Sequence, residues 1–465
     1  MSQPHLNVGG VFPHLASVGD LGPPRSEMAI AAMMPFAGRL WVVNYVSHTR
    51  RTGTGCVLME IDEQLNRIDR PEGRGVDGTY ANRIIHHPSN QLMIGPFLID
   101  QHRRIRVVES LIDHRLAASM EHLTDPENKL MVLGMEGEFF EVDLATLETR
   151  QLFDLCKELS LPQGARPHFK AGFTAHGRVI VANNSYEQAE YRGERAAGRL
   201  AEWDGGAWKV LSDASFYEVH GRKRLGATIY ATGWDRRSAI LMALVGDDKG
   251  RSWQRYRLPK GTVNLEHAWQ TEWPRIREIE HERYLMDCQG IFYEMSPHAW
   301  AGRVQGVKPI SNHLWIVPDF CNFRGMLVVG SDQTTPSHGD NVLGAEPESG
   351  VWIGKTDDLW RFGKPSGWGG PWLDTPVKAG EPSDPYLVTG FEHKCVQLAC
   401  DDAKGPANIS IELDATGNGR FARCATVEVP DAESVHWVFP TGLSGHWVRF
   451  VADRDCTATA YLTYT

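Results

Sequence analysis

Short strands recur along this chain in one grammar, and no other feature restricts its fold as much. A strand, a tight turn, a second strand, a loop and a third strand come round seven times. The third members read 57-VLMEID-62, 105-IRVVES-110, 138-EFFEVD-143, 199-RLAEWD-204, 252-SWQRYRL-258, 290-GIFYEMS-296 and 350-GVWIGK-355. Each follows an apolar or Gly-containing strand: 39-RLWVVNYV-46, 91-QLMIGPFLI-99, 129-KLMVLGM-135, 178-RVIVANN-184, 238-SAILMALV-245, 283-RYLMDCQ-289 and 313-HLWIVPDF-320. Tight turns such as PFAGR, HPSNQ, TDPENK and TAHGR lead into most of these second strands. A unit this short cannot bury both of its faces alone, so seven of them predict a closed ring, a seven-bladed β-propeller. Long helical periodicity is scarce, and 151-QLFDLCKELSL-161 is the one expected helix, a connector.

The segment 352-WIGKTDDLWRFGKPSGWGGPW-372 is rich in Trp and Gly and is expected to close the ring. Beyond it, seven alternating stretches from YLVTGFEH to ATAYLTYT predict a small β-sandwich. The chain is therefore expected to be all-β, with a propeller over 1–375 and a C-terminal β-sandwich over 376–465. The sandwich either binds sugar or only braces the propeller, and bracing is the expectation.

Composition narrows the partners. Of the 465 residues, 42% are hydrophobic and 23% charged, a globular balance. No run of 18 apolar residues occurs, so no membrane span is expected. The net charge of −10 argues against a nucleic-acid partner, while local Arg and His can still gather on an anionic sugar. The start MSQPHLNVGG lacks a basic region followed by an apolar one, so the expectation is a cytoplasmic chain or a mature form whose leader is removed. The eight cysteines show neither a CxxC pair nor zinc spacing and read as buried thiols, with a disulfide in the C-terminal region left open.

Propeller geometry assigns places to the polar residues. In 80-YANRIIHHPSNQLMIGPFLID-100, Asn82 and Arg83 fall on the open face near the axis, with His86 and His87 toward the far end. Of the nineteen His, several fall at strand ends or loops near the axis: His14, His48, His86, His87, His122, His168, His176, His267 and His313. A lone His is more often a satisfied structural group, but histidine suits proton transfer near neutral pH. His122 beside Asn82 and Arg83 would take the proton alpha to a carboxylate while the Arg stabilises the developing anion. That is uronate β-elimination. The alternative is a His122 that hydrogen-bonds inter-blade backbone. In blade four His168, Lys170, Asn183, Asn184 and Tyr186 suit sugar hydroxyls, with solvated loop residues as the alternative. Trp269 either stacks on a sugar ring or fills core.

Other chemistries find little support. Asp287, Asp319 and Asp332 qualify as glycosidase carboxylates by position only. There is no GxSxG, Walker or Rossmann motif. No metal signature has fixed ligand spacing. The run 410-SIELDATGNGRF-421 has some look of a calcium loop, and a hairpin turn explains it more simply.

The stretches NVGGVFPHLA, GTYANRIIHHPSNQLMIGPFLID, HLTDPENKLMVLGMEGEFFEVD, HFKAGFTAHGRVIVANNSY and LWRFGKPSGWGGPW together resemble a group of seven-bladed propeller enzymes. The group comprises L-rhamnose-α-1,4-D-glucuronate lyases and related α-L-rhamnosidases, with ulvan lyases as more distant relatives. The likeness runs through the propeller into the sandwich. It implies a lyase releasing terminal L-rhamnose from glucuronate, with an oligo- or polysaccharide partner. It implies no required cofactor and is compatible with a structural divalent cation such as calcium. The lyase site resembles two His, a Tyr and an Arg on the open face. His122 matches one His, whereas Phe97, His168 and Asn184 stand at the other positions, three departures from the pattern. The rhamnosidases resemble a single-His site on the opposite face, for which His14 is the match.

Overall fold

The computed structural model describes residues 14–17, 27–47, 58–73, 81–185, 197–222, 228–247, 249–262, 275–299, 302–333, 348–401 and 405–465. Seven antiparallel four-stranded blades follow one another along the chain. Their first strands are Glu27–Phe36, Arg83–His86, Leu116–Glu121, Pro167–Ala175, Ser215–Gly221, Arg275–Glu280 and Phe320–Phe323. Each of these packs beside the next, and the seventh returns to the first. The ring encloses a channel, and the protein is an all-β, seven-bladed propeller carrying a C-terminal sandwich.

Blade seven takes its outermost strand from the other end of the chain. His14–Ser17 pairs with Glu348–Gly354, from His14↔Trp352 to Ser17↔Ser349. A further pair, Ala29↔Asp332, stitches blade one to blade seven. Closure by the segment 352–372 is thereby corrected. That segment holds a 3-10 helix, Thr356–Phe362, and the start of strand Gly367–Val377, which pairs with Cys456–Tyr464 in the terminal sheets.

Strand assignments shift within some blades. In blade two, 91-QLMIGPFLI-99 is two strands, Gln91–Ile94 and Phe97–Asp100, divided at Gly95 and Pro96. Ile105–Val107 is then the outermost strand. In blade five Ala239–Asp247 is the third strand and Gly250–Leu258 the fourth. Most of 313-HLWIVPDF-320 is the loop entering blade seven, where the strand begins only at Phe320. The expected helix shrinks to one turn, Leu155–Glu158, because Thr149–Asp154 is drawn into blade three as its outer strand. The Asp154 carboxylate caps that turn by accepting from the Cys156 N–H.

Each blade is covered on both faces by its neighbours, so its middle strands read as continuous apolar runs rather than alternating ones. Leu130 to Leu133 in blade three and Ala239 to Leu244 in blade five are all buried. Fully burying one such aliphatic side chain contributes roughly 1.5–3 kcal/mol.

The terminal sandwich packs two sheets. One orders Gly367–Val377, Cys456–Tyr464, Lys394–Cys400 and Ser434–Val438; the other orders Tyr386–Leu387, Trp447–Ala452, Ala407–Asp414 and Ala422–Val429. The second sheet continues from blade five through the parallel pair Arg257↔Tyr386. Arg257 is fully buried there and binds the Asp384 carboxylate at 2.8 Å, Asp235 at 3.0 Å and the Ser238 hydroxyl at 2.9 Å. Burial pushes the Asp235 carboxyl up, but Arg257 and Arg237 outweigh it and hold it below the usual carboxylate range. The apolar core runs unbroken from blades five and six into the sandwich. Inside it Cys400 and Cys456 face each other as thiols, Sγ to Sγ 3.5 Å.

Candidate functional site

Two ends of the channel can be told apart. Ala81 and Asn82, just ahead of the blade-two inner strand, bond to the blade-three inner strand near its start: Ala81 N–H to Leu116 O and the Asn82 amide to Ser119 Oγ at 2.8 Å. His86, at the strand's far end, bonds the Pro126 carbonyl in the turn of blade three at 2.7 Å. The first end is the entry end and the second the turn end.

A charged cluster crosses the channel toward the entry end. The Asp319 carboxylate, in the loop before blade seven, accepts from Arg83 Nε at 2.6 Å and Arg83 Nη2 at 3.1 Å. It also accepts from Arg277 Nε at 3.0 Å and the Met33 backbone N–H at 2.8 Å. Arg277 Nη1 continues to Glu218 at 3.2 Å, and Arg275 Nη1 reaches the other Glu218 oxygen at 3.5 Å. Arg275 Nε donates to the Pro318 carbonyl at 2.7 Å, fixing the loop that carries Asp319. Three guanidiniums thus meet two carboxylates.

Burial alone would raise the Asp319 carboxyl, but Arg83 and Arg277 hold it below its ordinary value. For Glu218 burial wins over Arg277 and Arg275, with Asp319 repelling as well, so its carboxyl is raised. Arg277 Nη2 makes no hydrogen bond among the described residues, and its side chain keeps 15% of its surface open.

His220 lies on the inner strand of blade five, one face-step from Glu218. Burial, then the charges of Arg277, Arg83 and Arg222, push its imidazole well below the ordinary value. It is neutral at neutral pH. Its ring stands edge-on to Tyr284, centroids 5.1 Å apart, and near Phe173 at 6.0 Å. Neither ring nitrogen is hydrogen-bonded among the described residues, and the side chain is only half-buried. The Tyr284 hydroxyl is buried and has no hydrogen-bond partner among the described residues, and burial raises its pKa. The arrangement offers cationic donors for a carboxylate and a neutral base beside them.

Of the residues picked from sequence, Arg83 is in this cluster. Asp319, which qualified by position only, is its centre. Asn82 is not on the channel wall. It is buried, and its amide nitrogen ties Gly95 O at 2.9 Å to Ser119 between blades two and three.

His122 also lies elsewhere. It follows the end of its inner strand, at the turn end, whereas Arg83 starts its own. Its Nδ1 accepts the Asp125 N–H at 2.9 Å, and its Nε2 meets Glu141 at 2.8 Å. Glu141 is held in turn by Lys129 at 3.0 Å. Both nitrogens are spent on bracing blade three, because a backbone N–H fixes one and a carboxylate the other. Phe97 is core between blades, away from any site.

At the entry end of blade four, His168 and Asn184 are register partners and both are buried, as is Lys170. Asn183 takes the His168 N–H at 2.8 Å and gives its amide to Ala197 O. They form a buried polar layer, and the segment 186–196, with Tyr186, lies outside the described residues. Trp269, His267 and His48 lie outside them too. His14 is placed by its backbone alone, on the closing strand of blade seven. His313 pairs with Asp287 at 2.9 Å and stacks on Phe292 at 4.1 Å.

Sequence reasoning passed over His220, Glu218, Arg275 and Arg277. A signal was present: 215-SFYEVHGR-222 spaces Glu218, His220 and Arg222, and 275-RIRE-278 spaces Arg275 and Arg277, two apart, which puts each set on one face of its strand. Among the described residues no three His, Cys, Asp or Glu gather as for a metal. In the run 410–421 the Asp414 carboxylate accepts the N–H groups of Thr416, Gly417, Asn418 and Gly419, which is a hairpin turn.

No family model matches the sequence, and no curated protein matches it. Solved structures similar to the chain include the β-propeller domain of Myceliophteria thermophila Cps50 (Swd1), at 9% identity and TM-score 0.40 over 70% of this chain and 96% of that one. The RRP9 WD40 repeats align at 10% identity and TM-score 0.43 over 71% of this chain and 98% of that one. A luciferin-regenerating enzyme aligns at 8% identity and TM-score 0.39, over 74% of this chain and 95% of that one.

Proposed function

We propose that this propeller is a carbohydrate-active lyase that removes terminal L-rhamnose from α-1,4-linked glucuronate by β-elimination. Arg83 and Arg277 receive the uronate carboxylate. Neutral His220 takes the C5 proton, the C4–O4 bond breaks, and a double bond forms between C4 and C5. The imidazolium then returns the proton to the departing O4, so rhamnose leaves as a free sugar and His220 is neutral again. Guanidiniums aimed at the carboxylate stabilise the charge that builds on it as the proton leaves. A base kept neutral by its surroundings is ready at neutral pH.

The observation that carries this proposal is one juxtaposition: a half-buried imidazole with no hydrogen bond among the described residues, set beside guanidiniums that outnumber their carboxylates. The resemblance of the sequence motifs to rhamnose–glucuronate lyases points to the same substrate. His14, His122, His168, Asn82, Asn184, Tyr186 and Trp269 are not needed for these steps.

Incubation with rhamnosyl-α-1,4-glucuronate tests it. The lyase yields rhamnose together with an unsaturated uronate that absorbs in the near ultraviolet. Rhamnose without that absorbance would move the chain to the hydrolases. A second proposal, binding without turnover, is favoured by how fully Arg83 is already paired with Asp319. Carboxylate binding with neither product would select it.

A further inference from the structure

A second cationic cleft lies at the outer edge of blade five, where the terminal sandwich meets the propeller. Its volume is about 290 Å³. That is near the lower end of small-molecule sites, roughly 300–1,000 Å³, and suits about one sugar ring. The floor is aromatic and rigid. Tyr256 and Trp447 pack with centroids 4.6 Å apart, and both are pinned to Val304: its N–H reaches the Tyr256 hydroxyl at 3.3 Å and its carbonyl takes the Trp447 indole N–H at 3.0 Å.

The walls carry Arg255, Arg303 and Arg449. Arg449 lies over the Phe421 ring at 4.1 Å and holds Glu412 at 2.7 Å. Arg255 has one long contact, to the Ser212 hydroxyl at 3.4 Å. Arg303 is exposed and makes no hydrogen bond or ion pair among the described residues. Its side chain lies close against the hairpin tip, since a Cβ on Gly419 would stand 2.6 Å from Arg303 Nε. The one carboxylate in the lining, Asp414, is held by four backbone N–H groups and makes no ion pair with the three arginines.

We propose that this cleft binds a uronate residue of an acidic saccharide. Arg303 and Arg255 hold the carboxylate through charge-assisted hydrogen bonds, and the sugar ring fills the cleft above the Tyr256 and Trp447 floor. The sandwich then anchors the glycan as well as bracing the ring. The inference shares its ligand class with the channel proposal but uses separate residues, so the two stand or fall independently.

The test is calorimetric titration of the full chain with a glucuronate disaccharide, and with cellobiose as the neutral control. Two acidic disaccharides per chain are expected for the parent and one for Arg303→Gln combined with Arg255→Gln. The variant's unfolding midpoint is expected to match the parent's, because neither arginine is in an ion pair. Affinity at the cleft falls about tenfold or more when these charge-assisted bonds go. One site in both proteins overturns the cleft and leaves the channel. One site in the parent and none in the variant sustains the cleft and overturns the channel. No binding to either protein overturns both. Cellobiose binding as tight as the acid, lost in the variant, overturns the acidic class.

Discussion

Arg83 and Asp319 stand 236 residues apart in the chain and meet across the channel through hydrogen bonds of 2.6 and 3.1 Å. The bond joins blade two to the loop of blade seven, and Arg277 and the Met33 N–H bring blades six and one to the same carboxylate. Removing the carboxylate leaves two half-buried guanidiniums facing each other. Asp319→Ala is therefore predicted to cost about 3–5 kcal/mol in urea unfolding. Arg83→Ala should cost less, because Asp319 keeps Arg277 and Met33. The reverse order would show that Asp319 is not the hub.

His220 sets a pH signature. Its folded pKa lies well below its ordinary 6.5, so between those values the unfolded chain binds the proton and the folded chain does not. Stability is then full above about pH 6.5 and is lost as pH falls below it. His220→Phe should flatten this part of the stability–pH curve. In turnover the same shift keeps the base active through pH 6.5, so the acid limb of the rate profile should fall well below that value. An inflection near 6.5 in the parent would remove His220 as the base.

His122→Ala separates bracing from chemistry. The change strips three hydrogen bonds, to the Thr124 and Asp125 N–H groups and to Glu141, and leaves Glu141 one partner short, which should destabilise the fold by about 1–3 kcal/mol. Turnover per folded molecule should be unchanged. Loss of turnover at undiminished stability would return His122 to the mechanism.

Removing residues 1–17 tests the seal of blade seven. The strand Glu348–Gly354 would lose its outer partner and present an open ladder edge. A lower thermal midpoint and concentration-dependent association are expected. A truncated chain as stable and as monodisperse as the full one would mean that the seal adds nothing.

The ring itself was legible because strand periodicity and turn chemistry are local properties, repeated seven times. Boundaries failed where a turn sat inside an apolar run, as at Gly95 and Pro96, or where a loop was as apolar as a strand, as at 313–319. Arg83 was legible as an inner-strand charge at the entry end. Its partner was not, since nothing in a linear chain links residue 83 to residue 319. His122 misled for a related reason: a histidine after a strand and an arginine before one look alike in sequence, yet they lie at opposite ends of the channel. The alternation at Glu218, His220 and Arg222 carried the missing information.

The strand His14–Ser17 has a consequence for the order of synthesis. It is made before the other described blade strands, yet its partner is reached only when Trp352 has emerged. Six blades can assemble as they appear, while the seventh must wait with its outer strand already made and unpaired. Such a long-range final contact carries a high loop-closure cost and slows folding. The nascent chain therefore spends most of its synthesis as an open arc, and this is the interval in which it would need shelter from other chains.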